Sequence, residues 1–115
     1  MAATGNPRAR LEHILFHIEG VKNTIGDIDL ATFKSAYHFE RTVERAVQII
    51  SEAVKALPSD MLKRYPETEW NKIMAIGNVL RHEYQRVDPD AMWDVAKVKL
   101  PELEQVIRRM LADLN

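Results

Sequence analysis

The chain reads as an all-α protein, an antiparallel up-down bundle of four to five helices. Three observations predict this. No segment alternates apolar and polar residues over strand length between turn signals. Apolar residues recur instead at three- and four-residue steps through most of the sequence. The breaks between these runs are short, which favours antiparallel neighbours.

Taken in order, the first helix carries Leu11, Ile14, Leu15, Ile18, Val21 and Ile25, with Pro7 suited to its first turn and Gly26-Asp27 interrupting it. A second, longer pattern runs from about Asp29 to Leu57 through Phe33, Phe39, Val43, Val47, Ile50 and Val54. Asp29 or Thr32 suits its N-cap, and Pro58-Ser59-Asp60 ends it. Residues 58–67 form a connector with room for one short turn at Met61-Leu62. Thr68 suits the cap of a third helix that places Trp70, Ile73, Gly77 and Leu80 on one face. Val87-Asp88-Pro89-Asp90 breaks the chain again, and Ala91 to Leu114 is helical, with Pro101 either kinking that helix or starting a new one.

The 115 residues amount to one domain, 1–115. A chain of that size buries roughly two-thirds of its unfolded surface. The absence of cysteine excludes disulfides, thiolate metal sites and a thiol nucleophile. No basic, apolar leader opens the sequence, and no apolar run approaches the ~20 residues that span a bilayer, so the cytoplasm and no membrane partner are expected. With 16 basic and 17 acidic side chains the net charge is −1, so any contact with nucleic acid needs a local basic patch.

Several groupings bear on chemistry. His13 and His17 share a helix face, but no HExxH surrounds them and no Glu-x-x-His occurs, so no metal site is expected and they read as a polar helix edge. The four glycines are scattered, which leaves no phosphate loop, and no other cofactor motif is present. Arg41, Glu44, Arg45 and Glu52 read as surface ion pairing on the second helix. The densest segment is Gly77-Asn78-Val79-Leu80-Arg81-His82-Glu83-Tyr84-Gln85-Arg86, with a cation, an imidazole, a phenol and an amide within two turns. Metal-free RNA cleavage needs such groups: a base for the ribose 2′-OH, an acid for the leaving 5′-oxygen, and a cation for the phosphorane charge. Histidine titrates near neutrality, and arginine matches phosphate geometry bidentately. A solvated helix end closed by an inward tyrosine explains the same residues without chemistry.

Four segments in order resemble one family. They are Arg45 to Ala53, Tyr65-Pro66-Glu67-Thr68-Glu69-Trp70, Asn78 to Tyr84 followed by Val87-Asp88, and Leu100-Pro101-Glu102-Leu103. Together they resemble the HepT-like toxins of the HEPN superfamily over roughly residues 10–111, the third segment being similar to the family's Arg-x4-6-His-x-Tyr motif. The resemblance implies an all-α homodimer with a site at the dimer cleft and metal-independent endonucleolytic cleavage of RNA, without a cofactor. It also implies a type VII-like toxin–antitoxin pair. The partner there is a nucleotidyltransferase antitoxin that, in some members, adds nucleotides to the motif tyrosine. Residue by residue, His82 matches the motif histidine, Tyr84 the motif tyrosine and site of modification, and Asn78 the supporting asparagine. The family's arginine would fall at position 77, which is Gly77 here, and the nearest arginine is Arg81. Arg81, His82 and Tyr84 are therefore the expected catalytic residues.

On a helical wheel Gly77 and Arg81 lie about 40° apart, one turn from each other. Side chains lean toward a helix's N-terminus, so Arg81 is expected to sweep back over Gly77 and fill the missing arginine's place. The competing explanation for Gly77 is close helix packing, with Arg81 paired to Glu52 or Glu44. The competing functional reading is a catalytically degenerate helical module that docks a nucleotidyltransferase or is modified by it. A small-ligand-binding bundle is the third.

Overall fold

The computed structural model describes residues 6–82 and 87–114. Among these the secondary structure is entirely helical: α1 (Pro7–Ile25), α2 (Leu30–Ser35), α3 (Tyr37–Lys55), α4 (Ser59–Lys63), α5 (Trp70–His82), α6 (Pro89–Asp94), a π-helical turn (Val95–Lys99) and α7 (Leu100–Asp113). The four long helices are those the apolar spacing predicts. The short segments between them raise the number of elements above the expected four to five.

α1 begins where the Asn6 side chain accepts hydrogen bonds from the backbone N–H groups of Arg8 and Ala9 at 2.9 and 3.4 Å. That cap satisfies donors a helix start otherwise leaves open. Leu11, Ile14, Ile18, Val21 and Ile25 form its buried stripe.

The long second pattern is two helices. Ala36 is extended (φ −137°, ψ 132°) and separates α2 from α3. Asp29 caps α2 by accepting from the Thr32 N–H at 2.9 Å. At its other end the Ser35 hydroxyl donates to the Thr32 carbonyl at 2.6 Å, a local bond that competes with continuing the helical ladder. The break lets Phe33 bury completely, with its ring 5.2 Å from that of Trp93 in α6. Apolar periodicity ran through Ala36 unbroken, so spacing alone could not place this corner.

The connector holds the expected turn as α4, with Met61 and Leu62 buried. The carbonyl that opens the α5 ladder belongs to Glu69, accepting from Lys72 and Ile73, so the cap falls one residue after Thr68. The Trp70 indole N–H donates to the carbonyls of Leu62 and Tyr65 at 3.1 and 3.0 Å, which ties the start of α5 to the connector. Pro101 lies in the first turn of α7, within a helical run that continues without a break from Pro89 to Asp113 and widens just before it. Having no N–H, it cannot donate to the carbonyl four residues back. The Leu100 N–H instead reaches Val95, five residues back, which is the π-helical spacing.

α3 packs against both α1 and α5, and α1 also packs against α7. α1 and α7 run antiparallel, since Lys22 meets Glu104 at 3.2 Å while Arg108 approaches Glu19 at 3.7 Å. Buried apolar residues from α1 through α7 form one contiguous core. Among the described residues no helix is long and apolar enough to cross a membrane.

Candidate functional site

Two of the candidate residues, Asn78 and Arg81, lie where α5 meets α3, and a glycine sets how close the two helices come. Gly77 is buried, and Ser51 of α3, itself fully buried, occupies the place a side chain at 77 would need. An ideal Cβ on Gly77 would lie 2.5 Å from the Ser51 Cβ and nearer still to its Oγ. The Ser51 hydroxyl donates to the Met74 carbonyl at 3.1 Å, which fastens the crossing.

This corrects the expectation that Gly77 makes room for Arg81. Ser51 fills that space, and Arg81 instead pairs with the Glu52 carboxylate. Close helix packing therefore accounts for the glycine, and the two explanations set against each other for position 77 are separated by one neighbouring side chain.

The close approach assembles a polar cluster from two helices. Lys55 donates to the Asn78 side-chain carbonyl at 2.7 Å and stands 3.5 Å from Glu52. Glu52 thus bridges Lys55 and Arg81, while Asn78 holds Lys55 from the other side. His82 follows Arg81 on the last turn of α5 and is exposed. These ion pairs are solvent-facing, so each contributes only about 0–1 kcal/mol to stability. Their consequence is positional: two cations and an amide are held together at the α3–α5 crossing. The structure brings Asn78 and Arg81 to one cluster and leaves His82 exposed on the same turn, whereas Tyr84 lies outside the described residues. Lys55 was not singled out from the sequence, because its partner Asn78 is 23 residues away.

Of two other groupings, on α3 and α1, the first has a different character from that expected. Glu44 is buried, not part of a surface network, and its carboxylate lies 2.7 Å from Arg41. Burial pushes that carboxyl above its ordinary value, against the pull of the Arg41 charge. Arg45 turns from Glu44 and bonds the Gln48 amide at 3.3 Å. The His13 and His17 rings meet edge to face at 4.6 Å. Burial, then the charges of His13 and Arg45, hold His17 below its ordinary value. Among the described residues no group of three or more histidine or carboxylate side chains is arranged to hold a metal ion.

Comparison with known proteins converges on one family. The family model described as ribonuclease HepT-like matches residues 14–110. The chain is similar to a protein of Methanocaldococcus jannaschii that carries a provisional RNase name, at 29% identity over 108 residues, covering 94% of this chain and 93% of that one. A Caldanaerobacter subterraneus subsp. tengcongensis protein, also provisionally named as an RNase, is 31% identical over 105 residues, covering 91% of this chain and 94% of that one. A Thermococcus cleftensis protein provisionally named ribonuclease HepT is 31% identical over 94 residues, or 82% of this chain and 86% of that one. No solved structure matches. With the family model covering most of its length and its helices in place, the chain belongs to the HepT-like family of the HEPN superfamily.

Proposed function

We propose that this protein is a metal-independent endoribonuclease, the toxin of a type VII-like toxin–antitoxin pair, in which Arg81, His82 and Tyr84 form the catalytic set and Asn78 supports them. The observation that carries this reading is the clustering of Arg81, Lys55 and Asn78 around Glu52 at the end of α5, whose last turn also bears the exposed His82, in a chain whose relatives bear RNase names. In the reaction the ribose 2′-hydroxyl loses its proton to one His82 imidazole and attacks phosphorus. Arg81 exchanges Glu52 for the phosphorane oxygens. The 5′-oxygen leaves with a proton from a second imidazole, giving a 2′,3′-cyclic phosphate and a 5′-hydroxyl. One chain offers one motif histidine, so the reading requires a homodimer whose two copies share the site. The groups supply acid, base and cation by themselves, so cleavage of total RNA by the purified protein is expected to persist in EDTA. Complete loss of cleavage on chelation, restored by a divalent ion, overturns the metal-independent mechanism.

The pairing of Arg81 with Glu52, together with Gly77 at the family arginine's position, favours a second reading. In it the chain is a catalytically degenerate module that docks a nucleotidyltransferase. Both readings make Tyr84 the acceptor of transferred nucleotides, which would bring phosphodiester charge and bulk to the site. After co-expression with the cognate transferase, intact mass is expected to rise by whole nucleotide units. An increase that persists in Tyr84→Phe rules Tyr84 out as the acceptor.

A further inference from the structure

Away from the α5 cluster, α1 and α3 enclose a groove of about 510 Å³ lined by residues including His17, Gly20, Tyr37, His38, Arg41 and Arg45. Its lining holds two arginines and two histidines and no carboxylate, in a chain whose net charge is −1. Arg41 is paired with Glu40 and Glu44 at 3.4 and 2.7 Å and lies over the Tyr37 ring, 5.1 Å from its centre, whereas the Arg45 contact is the neutral Gln48 amide. Two aromatic rings stand in solvent, Tyr37 in the lining and Phe16 on α1 outside it. Tyr37 is 77% exposed, and Phe16, which meets the His17 ring edge-on at 5.2 Å, is 70% exposed. Gly20 is exposed in the lining, with nothing within 4 Å of where its Cβ would be.

The groove is joined to the α5 cluster by one face of α3. Arg41, Arg45, Gln48, Glu52 and Lys55 follow one another at four- and three-residue steps. At 100° per residue they stay within about 80° of one another, and at 1.5 Å per residue the stripe is about 21 Å long. Arg41 and Arg45 line the groove at one end, and Glu52 and Lys55 belong to the cluster at the other.

Exposed aromatics interleaved with cations are what single-stranded nucleic acid requires: rings for the faces of unpaired bases and guanidinium groups for phosphates. We infer that the α1–α3 groove binds a single-stranded segment of the RNA, its bases against Tyr37 and Phe16 and its phosphates against Arg41 and Arg45, and that the α3 stripe leads this strand to Asn78, Arg81 and His82. The inference rests on the ribonuclease reading and adds to it a second region of contact outside the reacting bond.

The test uses the full chain and a fluorescently labelled single-stranded oligouridylate, read by anisotropy, in a His82→Ala background that keeps the probe intact. Tyr37→Ala is expected to weaken binding about 5- to 150-fold, the range of one base–aromatic stack. Arg45→Gln is expected to lower the slope of log affinity against log salt by about one. Both residues are exposed, so the fold is expected to persist, and circular dichroism checks it. With His82 restored, Tyr37→Ala is expected to raise KM for a long RNA more than for a dinucleotide. If the parent protein binds and cleaves but both variants bind as it does, the groove assignment falls while the ribonuclease reading stands. If the parent neither binds nor cleaves RNA, both fall together. If the variants instead turn a dimer into a monomer by light scattering, the groove is a contact between copies and the assignment is overturned.

Discussion

His82→Ala is expected to lower RNA cleavage by about 10²- to 10⁴-fold, the contribution of one positioned acid–base group. His82 is exposed on the last turn of α5, so its truncation leaves no cavity, and stability is expected to stay within about 0.5 kcal/mol of the parent. Single-turnover cleavage of a defined RNA, with denaturant unfolding and light scattering on the same sample, separates loss of chemistry from loss of fold or dimer. Arg81→Ala in parallel removes phosphorane stabilisation instead of proton transfer and leaves Glu52 paired with Lys55. Undiminished cleavage by a folded, dimeric His82→Ala protein removes the imidazole from the mechanism and leaves the degenerate binding module as the better account.

Gly77→Ala is the substitution from which the largest loss of stability is expected. Alanine in a helix interior favours folding over glycine by about 1 kcal/mol. The added methyl, however, would lie 2.5 Å from the Ser51 Cβ and closer to its Oγ, and that serine is fully buried. Relief requires moving α5 off α3, since the Ser51 Oγ can rotate away but its Cβ is fixed to the α3 backbone. Overpacking of this kind costs about 1–3 kcal/mol. Displacing Ser51 also endangers its hydrogen bond to the Met74 carbonyl, a further loss of about 1 kcal/mol. The expected net effect is a loss of about 1–3 kcal/mol, read as a lower urea midpoint at unchanged slope. Gly77→Arg, which restores the family's arginine in sequence, is expected to fare worse and to recover no cleavage, because the position it restores is filled by Ser51. The compensating change is Ser51→Gly. Combined with Gly77→Ala it is expected to show strong positive coupling in a double-mutant cycle. A Gly77→Ala protein as stable as the parent would show that the α3–α5 crossing yields easily, and the explanation of the glycine would go with it.

What the sequence alone determined here is local. The α1 stripe from Leu11 to Ile25, the α5 face of Trp70, Ile73, Gly77 and Leu80, and the ambiguity at Pro101 were readable because helical periodicity and proline's missing N–H act within one or two turns. The adjacency of Arg81 and His82 and the order of the family's motif segments were readable for the same reason. Tertiary structure decided the rest. Apolar spacing passed unbroken over Ala36, and the corner there goes with the Ser35 back-bond and with Phe33 meeting Trp93 of a distant helix. A helical wheel placed Gly77 on the buried face but not opposite Ser51, and so assigned its space to the wrong neighbour. Glu44 has the sequence context of a surface charge, yet tertiary packing buries it beside Arg41. Lys55 joined Asn78 across 23 residues. Each of these depends on where two helices cross and at what height. That is fixed by which side chains interdigitate across the interface, and periodicity within one helix carries no information about it.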